Sequence, residues 1–137
     1  MIDQLIFIVI ASPLFTALIT GMFGFMIPSF VRVISFSGLL LGGYSAFKLF
    51  KQVLNNGPQS YYFGNWPAPV GIEYSVDALN ALMILLIYII SILAFIYSIK
   101  AVEIEIDQSK HNHYYALFFL LITGLIGIAC TGDAFNL

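Results

Sequence analysis

The sequence carries little charge, and no acid, lysine, arginine or histidine lies deep inside any of its apolar stretches. Only 9% of its 137 residues are charged, while 61% are hydrophobic. Soluble domains carry roughly 25% charged residues, and so few polar groups cannot cover the apolar surface of a soluble fold of this size. Cys130 is alone, which excludes an internal disulfide, and no CxxC or Cys/His cluster offers a metal-ligand set. Gly-rich phosphate loops, Ser/His/Asp arrangements and HExxH are all missing, so no catalytic or cofactor-binding residues are assigned. The net charge of −2 is too small to draw the chain to nucleic acid.

What is there is a set of four apolar segments, each close to the ~20 residues that cross a bilayer. They run from about Leu5 to Ile27, Val33 to Phe50, Ala78 to Ile99 and Tyr114 to Thr131. Arg32 and Lys48 bound the second tightly, and their long stems can snorkel to the interfaces. The first reads as a span and not as a cleaved signal peptide. It has Asp3 and no basic residue ahead of Arg32, and its apolar run exceeds an ordinary signal core. With the N-terminus outside, Arg32, Lys100 and Lys110 fall inside and only Lys48 and Lys51 fall outside. The positive-inside rule favours that arrangement by a narrow margin.

Small residues mark the faces on which helices meet. Ser12, Thr16, Thr20 and Gly24 recur every four residues on the first span. Gly38, Gly42 and Ala46 do so on the second, and Thr123, Gly127 and Thr131 on the fourth. Such stripes let helix backbones approach closely in lipid. On the third span Tyr88, Ser91, Ala94 and Ser98 fall on one rough face, with Asn80 near the start. Hydroxyls there serve helix contact or line a wet path, and contact is the ordinary role. Pro13 removes a backbone donor inside the first span and kinks it unless neighbours re-satisfy the freed carbonyl.

Between the second and third spans, Asn55-Asn56-Gly57-Pro58 breaks the helix. Val70, Ile72, Tyr74 and Val76 then alternate with Gly71, Glu73, Ser75 and Asp77, a period of two that predicts a strand. Tyr61 to Phe63 supplies a second strand and Gly64 to Pro69 the turn, giving a small β-hairpin over about 60–76 at the membrane surface. Trp66 and the tyrosines suit that depth. Asp77 opens the third span as an N-cap, with proton handling as its other reading. Asp133, in Gly132-Asp133-Ala134-Phe135, poses the same choice at the start of a fifth helix. His111 and His113 lack a third ligand and read as a solvated loop.

Two blocks carry a resemblance. The run Phe63-Gly64-Asn65-Trp66-Pro67-Ala68-Pro69-Val70-Gly71-Ile72-Glu73, continued by Val76 to Met83, resembles the early region of the Mrp-type cation/proton antiporter D subunit. The run from Leu125 through Thr131-Gly132-Asp133-Ala134-Phe135-Asn136-Leu137 is similar to the same protein. These antiporter proteins are themselves similar to the antiporter-like subunits of complex I and of membrane-bound hydrogenases. The resemblance implies an all-α membrane protein, a single transmembrane region over 1–137, that forms the N-terminal fragment of a larger multi-pass subunit. It implies an N-terminus and hairpin on the outer face of a prokaryotic plasma membrane. Its partners are then the lipid bilayer, other membrane subunits, protons and Na+ or K+. It also implies that a membrane-embedded glutamate follows the last motif, with lysines and histidines beyond, none of them in this sequence. The expected role is therefore a helix scaffold within a monovalent cation/proton antiporter, not an enzyme. A proton-pumping subunit of complex I or a hydrogenase is the alternative, and a non-transporting four-span assembly protein is the reading from another class.

Overall fold

A computed structural model describes residues 2–24, 28–62 and 73–131. Helix α1 runs Ile2–Phe23, α2 Pro28–Asn56, α3 Ala78–Glu105 and α4 His111–Cys130. Strands β1 (Gln59–Tyr62) and β2 (Glu73–Val76) lie between α2 and α3. All four helices are long and apolar enough to cross a membrane.

Local chemistry sets the helix ends. Pro28 occupies the first helical position of α2, where its missing N–H has no intrahelical partner to lose. Past Asn56, Gly57 adopts φ +82 and its amide bonds back to the Val53 carbonyl at 2.9 Å. Only glycine takes that left-handed conformation without a Cβ penalty. Asp77 caps α3 by accepting from the Asn80 amide at 2.8 Å, and Asn80 Nδ2 donates to the Ser75 carbonyl at 3.2 Å. The first turn of α3 is thereby tied to β2. After α3, a 3-10 turn over Gln108–Lys110 leads into α4.

Helices α2 and α3 outrun the apolar segments that announce them. α2 includes Arg32, Lys48 and Lys51, and α3 continues through Lys100 and Glu103 to Glu105. Lys, Arg and Glu are good helix formers whose heads reach water from a terminal turn, so charge marks the membrane boundary and not the end of the helix. α1 closes at Phe23, short of the expected Ile27, and residues 25–27 lie outside the described set. His111 and His113, expected in a loop, stand in the first turn of α4. The His111 Nε2 donates to the Ile106 carbonyl at 2.9 Å, which closes the α3–α4 connection.

β1 and β2 pair antiparallel, with Gln59 opposite Val76 and Tyr62 opposite Glu73. The first strand starts earlier than Tyr61, and the expected turn over Gly64 to Pro69 lies outside the described residues, as does Asp133. Tyr74 of β2 also forms a bridge to Thr131 at the end of α4. Burial pushes the Tyr74 phenol above the usual tyrosine range.

The helices form a closed square in which α1 packs on α2 and α4, and α3 packs on the same two. The inward seam of α3 is Ala81, Ile84, Tyr88, Ser91, Phe95, Ser98 and Val102. Its alternating steps of three and four keep one face turned inward along the bundle. Ala94, expected on this face, is exposed, and Phe95 takes the inward place. Tyr88, Phe95, Phe119, Leu39, Ile84 and Ile122 fill the centre. Leu41, Ile90, Leu93 and Leu121 face outward, as lipid-facing residues do when helices are apolar all round.

Candidate functional site at the proline break

Pro13 has no N–H, so the Val9 carbonyl one turn earlier loses its helical partner. The donor comes from α3. The Tyr88 hydroxyl, fully buried, donates to the Val9 carbonyl at 2.6 Å. A tyrosine has one hydroxyl proton, so the Ser12 Oγ, 3.2 Å from the Tyr88 oxygen, is the donor in that contact. Thr16 and Thr20 extend the column along α1 by donating to the Ser12 and Thr16 carbonyls at 2.7 and 2.8 Å.

Room for this column comes from α2. A Cβ at Gly42 would overlap the Tyr88 ring and hydroxyl and the Ser12 Oγ. A Cβ at Gly38 would overlap the Thr16 side chain. Gly127 differs: nothing stands within 4 Å of a Cβ placed there. On α4 the Thr123 and Thr131 hydroxyls bond their own helix, to the Phe119 and Gly127 carbonyls at 2.8 and 2.9 Å. The structure thus brings Ser12, Thr16, Gly38, Gly42 and Tyr88 together at one crossing, while Gly127 and Asp77 stand apart from it.

The chemistry of the column is limited. The Ser12 proton points to the Tyr88 oxygen, and the Tyr88, Thr16 and Thr20 protons end on backbone carbonyls, which hold a proton in place and do not pass it on. Apart from Asp3 and Glu73, whose side chains lie outside the description, no Asp, Glu, Lys, Arg or His among the described residues is buried, and no group of three or more His, Cys, Asp or Glu among them is placed to hold a metal. Asp77 is exposed and engaged as a cap. Ser35 Oγ and Asn112 Nδ2 are the buried side-chain atoms without a partner among the described residues. Sequence reading leaves two pairings unseen. One is Tyr88 with Val9, signalled only by the donor that Pro13 removes. The other is the Arg32–Glu103 ion pair, 2.6 Å across the ends of α2 and α3.

No protein-family model matches the chain. It is 29% identical over 131 residues to the N subunit of the NADH-quinone oxidoreductase of Desulforudis audaxviator, covering 95% of the chain and 26% of that protein. It is 41% identical over 81 residues to the D subunit of a probable K(+)/H(+) antiporter of Rhizobium meliloti, covering 59% of the chain and 14% of that protein. A chain in the structure of the membrane-bound sulfane sulfur reductase, an archaeal respiratory membrane complex, superposes with a TM-score of 0.85 at 33% identity. That match covers 97% of this chain and 27% of the other. The chain spans about a quarter or less of the length of the curated relatives it matches. It is a multi-pass membrane protein homologous to part of the antiporter D subunits and of the NADH-quinone oxidoreductase N subunits.

Proposed function

We propose that these four helices are the N-terminal portion of a D-like antiporter protein and form a non-titrating wall in a multisubunit monovalent cation/proton antiporter. The observation that carries this reading is the interior of the bundle, where the described side chains supply hydroxyls, one amide and the Cys130 thiol but no buried carboxylate, ammonium, guanidinium or imidazole. A protein that hands protons across a bilayer needs intramembrane ionisable groups, because those groups mark proton relays. In this reading they come from other helices, and the four described here set the distance and angle at which those helices stand. Na+ or K+ is the exchanged cation, the N-terminus and hairpin face outward, and the plasma membrane of a prokaryote is the site of action.

The test is transport by the chain alone and in company. Everted vesicles holding only this chain are expected to show no cation-dependent collapse of a pH gradient. Robust exchange by the chain alone would falsify the wall reading and force a carrier role on Asp77 or Asp133. A second reading, a proton-pumping subunit of a respiratory complex, is favoured by the oxidoreductase relative, which matches nearly the whole chain. Isolation from native membranes separates the two: antiporter subunits alone support the first reading, and iron–sulfur subunits support the second.

A further inference from the structure

A cavity of about 430 Å³ opens at the end of the bundle away from the hairpin. Arg32 of α2, Glu103 of α3, Gln108 and Ser109 of the 3-10 turn, and His111 and Asn112 of α4 line it. Liquid water takes about 30 Å³ per molecule, so the space suits a ligand of several heavy atoms. Asn112 is only 4% exposed and its Nδ2 has no hydrogen-bond partner among the described residues. A buried donor left unpaired marks a place where an acceptor belongs. Gly24 leaves the room that Asn112 occupies, since a Cβ on Gly24 would overlap the Asn112 Cβ.

The charges around the cavity narrow the ligand. Lys110 at the α4 N-cap position makes no side-chain cap, and the first turn of α4 holds no acid, so the positive end of the helix meets a cavity in which Glu103 is the one carboxylate among the described lining residues. Arg32 and Glu103 are paired, yet their side chains are 45% and 46% exposed, so both keep free faces. The nearby Lys110–Asp107 pair, at 3.5 Å, is more exposed and lies outside the lining. Donors therefore converge on an anion. The Glu103 carboxylate beside them repels a bare anion and attracts one that carries its own cation. The helix ends place the cavity at the depth of the lipid headgroups.

We propose that this cavity binds the headgroup of a zwitterionic aminophospholipid. The phosphate sits on the Asn112 amide, the Arg32 guanidinium and the α4 N-terminus, and the ammonium sits on Glu103. The assignment is independent of the transport reading, because it uses only this chain and lipid.

The test embeds the full chain in nanodiscs of equal phosphatidylethanolamine and phosphatidylglycerol, then counts retained lipids by native mass spectrometry. Phosphatidylethanolamine is expected to be retained about tenfold over phosphatidylglycerol, the worth of one charge-assisted hydrogen bond. Arg32→Gln and Asn112→Leu are each expected to lower that retention about tenfold. Glu103→Gln is expected to keep phosphate lipids and lose the preference for the amino headgroup. Soluble phosphoethanolamine forms a separate arm, read by the shift of the Asn112 side-chain amide resonance. Weaker binding than the lipid identifies a membrane source, and equal binding identifies a free aminoalkyl phosphate of the same chemistry; both support the site. Equal retention of the two lipids by the unmodified chain overturns it. So does undiminished retention in an Asn112→Leu chain of native helix content. If that variant does not fold, Arg32→Gln at the half-exposed position decides, and unchanged retention there overturns the proposal.

Discussion

Gly42 of α2 stands directly against the Tyr88 hydroxyl of α3, in the space where any other residue would place its Cβ. That hydroxyl continues past Gly42 to the Val9 carbonyl of α1, so three helices meet at one contact. Gly42→Leu is therefore expected to force α2 away from both neighbours. Overpacking costs about 1–3 kcal/mol, and more where backbone must move. Thermal unfolding in detergent and the yield of assembled complex are the readouts. Unchanged stability and yield in Gly42→Leu would refute the close-packing account.

Tyr88→Phe is expected to leave the Val9 carbonyl buried without a donor, and the penalty depends on Pro13. Hydrogen bonds between membrane helices average about 0.6 kcal/mol and reach about 1.7. In a Pro13→Ala background the helix supplies its own amide to Val9, and the Tyr88→Phe penalty should fall toward zero. A double-mutant cycle measures this coupling. Equal penalties in the two backgrounds would show that Tyr88 does not serve the proline break.

Asp77→Ala is expected to destabilise the start of α3 by about 1 kcal/mol, the worth of an N-cap. Asp77→Asn keeps the accepting oxygen and should stay within a few tenths of a kcal/mol of the parent. Hydrogen exchange at the Asn80 amide reports both. Transport by an assembled complex should survive Asp77→Asn, whereas its loss with α3 intact would give the carboxylate a proton-handling role.

Gly127→Ala is expected to behave in the opposite way to Gly42→Leu. Open space surrounds the position, and alanine stabilises a helix by about 0.8–1.0 kcal/mol relative to glycine. The isolated chain should gain stability by up to that amount. A loss would mean that the face is already packed.

Much of this arrangement is legible in the sequence. Four apolar runs give four helices, Asn56-Gly57 gives the end of α2, and Asp77 gives the start of α3, because each rests on short-range chemistry. Helix lengths are harder to read, since Arg32, Lys51 and Glu103 end the apolar pattern without breaking backbone hydrogen bonds. The inward face of α3 shows a subtler limit. Counting by threes and fours from Tyr88 reaches Ala94 or Phe95, and only the repeat of seven that continues to Ser98 and Val102 selects Phe95. The Tyr88–Val9 bond joins residues 79 apart, so it emerges only once the helices are placed side by side. Pro13 announces that a donor is wanted but not which helix sends it. The orphan Asn112 amide is likewise invisible until α1 and α2 close over it.

The bridge between Tyr74 and Thr131 gives the hairpin a mechanical role. Its second strand leads through Asp77 into α3 and grips the last turn of α4, so the two rods are pinned at a shared end. A ratchet of α4 by one turn, about 5.4 Å, must first unclasp this pin. Sliding between them is thereby resisted at the hairpin surface, and rocking about the pinned end is the easier motion.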